Sequence, residues 1–155
     1  MTQEEKDLLL KDLCSRLPYK PIVQIDGCGI WNLRGIDHDD SAELRDRVIV
    51  WKGEYYPSSK NSFPVINCKP YLFPLSSMTD KQAKEIQEII GNPDYACIIR
   101  KTDGLELWLN FIDTDPTIWV DTIFEVQDYL NKNHFDYRDL IKKGLAIDAT
   151  GLNIY

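Results

Sequence analysis

The sequence predicts a single α+β domain in which a small, mostly antiparallel sheet packs with about four helices. Three observations carry this expectation. Short β-rich runs crowd the first half of the chain, two capping-box patterns mark helix starts, and an Asp-Gly pair separates two apolar runs in the second half. The hinge between the halves is Val65–Ile90, where Pro70 and Pro74 interrupt an otherwise apolar stretch before a helical pattern begins.

The chain has 155 residues, a length suited to one domain that buries roughly two-thirds of its unfolded surface. A hydrophobic share of 43 % with eight Tyr, four Trp and five Phe supplies enough apolar area for a core without covalent staples. Cysteines 14, 28, 68 and 97 form no C-x-x-C pair, so they read as reduced thiols of a cytoplasmic protein. The start, Met1-Thr2-Gln3-Glu4-Glu5-Lys6-Asp7, is charged and unlike a secretory signal. No window approaches the roughly 18 apolar residues of a membrane span, so no membrane partner is expected.

Taken in order, Thr2 and Glu5 have capping-box spacing and open a helix to about Arg16, with Leu9, Leu10, Leu13 and Leu17 on one face. Leu17-Pro18 stops it. Pro21–Asp26 reads as a strand, Gly27-Cys28-Gly29 as a reversal, and Ile30–Ile36 as the returning partner. Asp37–Ser41 is polar and loop-like. Arg47–Trp51 and Phe63–Lys69 are further strands, joined by a long polar loop over Lys52–Ser62. Pro70 and Pro74 exclude a helix from Cys68 to Leu75 and end the sheet. Thr79 and Gln82 repeat the capping-box spacing, and Ala83, Ile86, Ile89 and Ile90 form an apolar face before Gly91-Asn92-Pro93.

Tyr95–Arg100 and Leu105–Asn110 flank Lys101-Thr102-Asp103-Gly104, which is the pattern of a hairpin. Asp115-Pro116 starts a helix whose buried stripe is Trp119, Ile123, Val126 and Leu130. A last short helix is expected over Phe135–Ile141, closed by Lys142-Lys143-Gly144, with a terminal strand at Leu145–Asp148.

The net charge is −7, and seven acids with no Lys or Arg lie between Asp103 and Asp128. Such a field repels phosphate backbones, so general nucleic-acid binding is not expected. On the third helix Asp121, Glu125 and Asp128 line the side opposite the apolar stripe, which makes them candidates for binding another protein. Trp51, Tyr55 and Tyr56 join them, because rigid aromatics among Lys, Gly, Ser and Asn are typical of binding surfaces. Asp37, His38 and Asp39 form the densest group of possible metal ligands, yet they lack the Gly and Glu positions of a calcium loop. They support an alternative reading as a metal-dependent or hydrolytic enzyme; a structural or assembly subunit is a third. No phosphate-cradling loop, dinucleotide fingerprint or nucleophile elbow is present, and no cofactor is expected.

Three phrases carry a family resemblance: Leu8–Tyr19 (LLLKDLCSRLPY), Cys68–Gln82 (CKPYLFPLSSMTDKQ) and Phe135–Thr150 (FDYRDLIKKGLAIDAT). With these the chain resembles a family of small uncharacterised proteins of gut anaerobic bacteria and their prophages. The resemblance implies an accessory gene product of a bacterial or phage genome that acts in the cytoplasm. It implies no activity and no functional residue.

Overall fold

The computed structural model describes residues 1–38, 46–51, 61–91, 96–101, 104–109 and 116–155. In chain order the elements are α1 (Gln3–Arg16), β1 (Ile22–Ile25), β2 (Gly29–His38), β3 (Asp46–Trp51), β4 (Asn61–Pro64) and β5 (Cys68–Pro74). They continue with α2 (Asp80–Ile90), β6 (Ala96–Lys101), β7 (Gly104–Leu109), α3 (Pro116–Lys132), β8 (Phe135–Asp136) and β9 (Ile147–Asp148). The fold is α+β, with three α-helices among the described residues. The chain divides into two compact units, residues 1–72 with 138–155, and residues 73–137.

In the first unit α1 begins as its capping box requires. The Thr2 hydroxyl accepts from the Glu5 N–H at 3.2 Å, and the Thr2 N–H donates to the Glu5 carboxylate at 2.7 Å. Leu9 and Leu13 of this helix are fully buried with Val23, Ile25, Leu33, Val48, Val50 and Leu72 of the strands. Each such side chain contributes about 1.5–3 kcal/mol relative to exposure. The reversal between β1 and β2 places Gly27 at φ 71° and Gly29 at φ 86°, a region that glycine enters without steric penalty. Strands β4, β3, β2, β1 and β5 then form a continuous antiparallel ladder.

Two expectations are corrected here. Asp37 and His38 are not loop residues; they finish β2, opposite Arg47 and Asp46 of β3. Nor does the proline-bearing stretch end the sheet, because Cys68–Pro74 is a strand with partners on both sides. It pairs antiparallel with β1 and, through Tyr71 and Leu72, parallel with β9. The sheet is therefore mixed rather than simply antiparallel.

Register explains why Pro70 is tolerated inside a strand. The Asp26 N–H donates to the Asn67 carbonyl, so the hydrogen-bonded pairs of the β1–β5 ladder are 26/67, 24/69 and, by alternation, 22/71. Pro70 falls opposite Val23 at a non-hydrogen-bonded position, where the ladder to β1 asks for no N–H.

At the 22/71 position the direct ladder bond is replaced. The Tyr155 hydroxyl accepts from the Ile22 N–H at 3.3 Å and donates to the Tyr71 carbonyl at 2.8 Å. The last side chain of the sequence thus bridges two neighbouring strands. The residue keeps 44 % of its surface exposed, while burial around the hydroxyl pushes the phenol up to about 12 from 10.0. Folding therefore favours the protonated phenol. The stabilisation is complete below pH 10 and is lost as pH rises through 12. Tyr155→Phe is expected to cost about 1–2 kcal/mol, since it leaves a strand N–H and C=O without their bridge. It should also flatten the fall in urea midpoint between pH 10 and 12. An unchanged alkaline profile in the variant would refute the bridging role.

The second unit holds α2, α3, the β6–β7 hairpin and β8. Helix α2 has the second capping box, with the Thr79 N–H donating to Gln82 at 2.9 Å and the Gln82 N–H to the Thr79 hydroxyl at 3.3 Å. The helix stops at Gly91, which adopts φ 80°. Ile86 of α2 and Val126 of α3 share a core with Met78 and Phe135. The hairpin expected between the runs ending at Arg100 and beginning at Leu105 forms, with Lys101 paired to Gly104.

The expected last helix over Phe135–Ile141 does not form. His134 and Asp139 both adopt φ 57°, a left-handed conformation that breaks a right-handed helix. Between them Phe135 and Asp136 are drawn into strand β8, parallel to Phe73 and Pro74, with the Phe73 N–H donating to the His134 carbonyl at 2.9 Å. What remains of the helical pattern is a turn ending at Gly144, where the Leu145 N–H reaches the Leu140 carbonyl at 2.9 Å.

Candidate functional site

A groove of about 590 Å³ opens in the second unit, lined by Ile89 of α2 and by Phe124, Glu125, Gln127, Asp128 and Asn131 of α3. Its composition follows from helix geometry. Residues 124, 127, 128 and 131 are spaced i, i+3, i+4, i+7, so they stack along one face of α3. Glu125 flanks that face one residue on from Phe124.

Ile123 was expected in the buried stripe of this helix, but it is 40 % exposed, and its neighbour Phe124 is 62 % exposed. The stripe that does pack inward contains Val126, with Tyr129 and Leu130 against it. Periodicity alone gave Ile123 to the core because it lies three residues before Val126 and seven before Leu130, both helical spacings. The second core instead takes its remaining members from Met78, Ile86 and Phe135. The result is a pair of adjacent large apolar side chains left in solvent on a helix that also carries Asp121, Glu125 and Asp128.

Hydrogen bonds hold the groove's polar floor. The Tyr137 hydroxyl donates to the Asn131 side-chain oxygen at 3.0 Å and accepts from the Gln127 amide at 3.2 Å. One phenol therefore ties together two amides a turn apart on α3. Across the helix pair, the Tyr129 hydroxyl donates to the Glu85 carboxylate at 2.6 Å and joins α3 to α2. Burial, and then the bond and charge of Glu85, hold this phenol well above its ordinary range. The link thus persists through neutral pH with Tyr129 as donor. Ile89 lies one helical turn beyond Glu85, so the same link steadies the α2 wall.

Charge is divided unequally along the chain. Residues 73–137 contain 12 of the 25 acids and only 5 of the 18 bases, a net of −7; the remaining residues carry 13 of each. The entire net charge of the protein therefore belongs to the unit that bears the groove. Glu125 and Asp128 are exposed at the groove itself, and Glu125 makes no ion pair among the described residues.

Of the residues singled out from sequence, Glu125 and Asp128 meet at this groove. Asp121 belongs to the same helix and Trp51 ends β3, but their side chains lie outside the described residues, as do Tyr55 and Tyr56 altogether. Asp37 is exposed near the end of β2; the side chain of His38 and all of Asp39 lie outside the described residues. Among the described residues no three His, Cys, Asp or Glu side chains gather as a metal site would require. Cys68 is buried, and desolvation with the nearby Asp26 charge pushes its thiol up to about 12, which suits a core residue rather than a nucleophile.

Sequence reasoning missed Ile89, Phe124, Gln127 and Asn131. The i, i+3, i+4, i+7 spacing on α3 was available, but only the packing of α2 shows which stripe faces out. No protein family, curated protein or solved structure matches the chain.

Proposed function

We propose that the protein is a non-catalytic interaction module, a small acidic accessory factor of the bacterial or phage cytoplasm that works by binding another protein. The single observation carrying this reading is the α2–α3 groove, where the exposed Phe124 and the half-buried Ile89 lie beside Glu125 and Asp128 on the unit holding all the net charge. Exposed apolar area rimmed by charge is the usual character of a protein-docking surface. Acidic surroundings accelerate encounter with a basic partner and discriminate against anionic ones. No described helix is long and apolar enough to cross a membrane.

The test is cross-linking in lysate of the source cells, with the cross-linked positions mapped by mass spectrometry. The wild-type chain should give a defined partner whose cross-links cluster around α2 and α3. Glu125→Lys with Asp128→Lys should abolish that partner while leaving the circular dichroism spectrum unchanged. Cross-links that avoid this face, or that survive the charge reversal, would overturn the proposal.

A further inference from the structure

The geometry points to the chemistry of the groove's occupant: we infer that it takes a basic amphipathic segment of a partner protein. The segment would set one apolar side chain against Phe124 and Ile89 and pair two Lys or Arg side chains with Glu125 and Asp128. This inference rests on the protein-binding reading above and makes it specific.

Each part of the assignment follows from a feature of the site. Phe124, 62 % exposed, is a rigid aromatic with few rotamers to lose, the kind of residue that anchors an interface at low entropic cost. Ile89, half-buried, offers the facing apolar wall. Glu125 and Asp128 are three residues apart on α3, which puts their side chains on neighbouring positions of the helix surface. Two cations that meet both must themselves be close together and must flank the apolar anchor. A helical segment with basic residues three or four apart meets that condition, with its apolar residue on the same face. The Tyr137 bridge fixes Gln127 and Asn131 before a partner arrives, so ordering of the floor adds little to the cost of binding.

Other occupants fit less well. Nucleic acid and anionic lipid would bring negative charge to a unit of net −7. Two copies meeting groove to groove would place Glu125 and Asp128 of each against the same residues of the other, which like-charge repulsion opposes.

The experiment uses the purified full chain and three fluorescent peptides of equal length. One is amphipathic, with Leu on one face and Lys or Arg flanking it. A second has the same composition scrambled to disperse the Leu face, and the third carries Glu in place of the basic residues. Anisotropy should show saturable binding of the first, about tenfold weaker binding of the scrambled peptide, and none of the third. Phe124→Ala and Glu125→Gln with Asp128→Asn should each weaken the first peptide by about tenfold. These positions are on the surface, so both variants should retain the native circular dichroism spectrum. Raised salt should weaken binding as well.

Equal binding of the amphipathic and scrambled peptides would overturn the inference, because charge alone would then explain association. So would an unchanged affinity in Phe124→Ala. Sedimentation showing a dimer that Phe124→Ala dissolves would assign the groove to a second copy instead. If the peptides fail while cross-links to another protein still map to α2 and α3, the occupant's chemistry is wrong but the binding reading stands. If those cross-links are also missing, the binding reading itself has failed.

Discussion

Replacing Asp12 by alanine is expected to destabilise the protein by about 3–5 kcal/mol, because it leaves a buried guanidinium without its counter-ion. Asp12 and Arg16 are both fully buried on α1, and they meet through a two-pronged pair: Nε to Oδ2 at 2.8 Å and a terminal nitrogen to Oδ1 at 3.0 Å. Arg138 closes the cluster from the far end of the chain, donating to Asp12 Oδ1 and to the Ser15 hydroxyl, each at 3.2 Å. One carboxylate thus answers two cations in a place where water cannot.

The loss would be a large fraction of the roughly 5–15 kcal/mol by which a domain of this kind is stable. Urea denaturation followed by tryptophan fluorescence measures it. The triple variant Asp12→Leu, Arg16→Met and Arg138→Met is expected to lie much closer to wild type, since it removes the carboxylate together with both of its cations. If Asp12→Ala costs no more than an exposed salt bridge, below about 1 kcal/mol, the cluster is not desolvated in the way its geometry requires.

Phe135→Ala should be comparably severe, at about 3–5 kcal/mol, through the loss of a large buried ring and the cavity left behind. The ring is 2 % exposed and shares a core with Met78, Ile86 and Val126. Its backbone also belongs to β8, beside Phe73. Because residues 73–137 form a compact unit of their own, hydrogen exchange should report the damage unevenly. Amides of α2 and α3 should lose more protection than those of β1, β2 and β3. A uniform loss across both units would show that they unfold as one, and would remove the reason for treating the groove-bearing unit separately. Retained protection in α2 and α3 at the level of wild type would contradict the core assignment itself.

These two positions also show how far a sequence can be read. Asp12 and Arg16 have the spacing of an ordinary surface ion pair on a helix. In the fold both are buried, and Asp12 also accepts from Arg138, 126 residues away, a partner that nothing local announces. Phe135 was expected to begin a helix because Lys142, Lys143 and Gly144 supply the cations and the cap of a helix end. The pairing of residues 135 and 136 with β5 overrode that local preference, as tertiary contacts commonly override a weak propensity.

The groove was half legible. Glu125 and Asp128 stood out as acids opposite an apolar stripe, and they line it. Phe124 did not stand out, since a phenylalanine within a helical pattern is more often core than surface. Ile123 was misplaced because its spacing from Val126 fits the buried stripe.

What the chain's own order of residues determined was everything governed by near neighbours. Both capping boxes, the Gly27–Gly29 reversal, the Asp-Gly hairpin, the Gly91 stop and the α+β class all follow from side chains within a few positions of one another. Tertiary structure alone decided the rest. It inserted β5 between β1 and β9, recruited Tyr155 to bridge Ile22 and Tyr71, enclosed Asp12 with two arginines, and turned Phe124 outward beside Ile89. The physical reason is common to all four. Hydrogen bonds across strands, buried charge pairs and exposed apolar faces take their energy from which distant segments exclude water together, and local periodicity is blind to that choice.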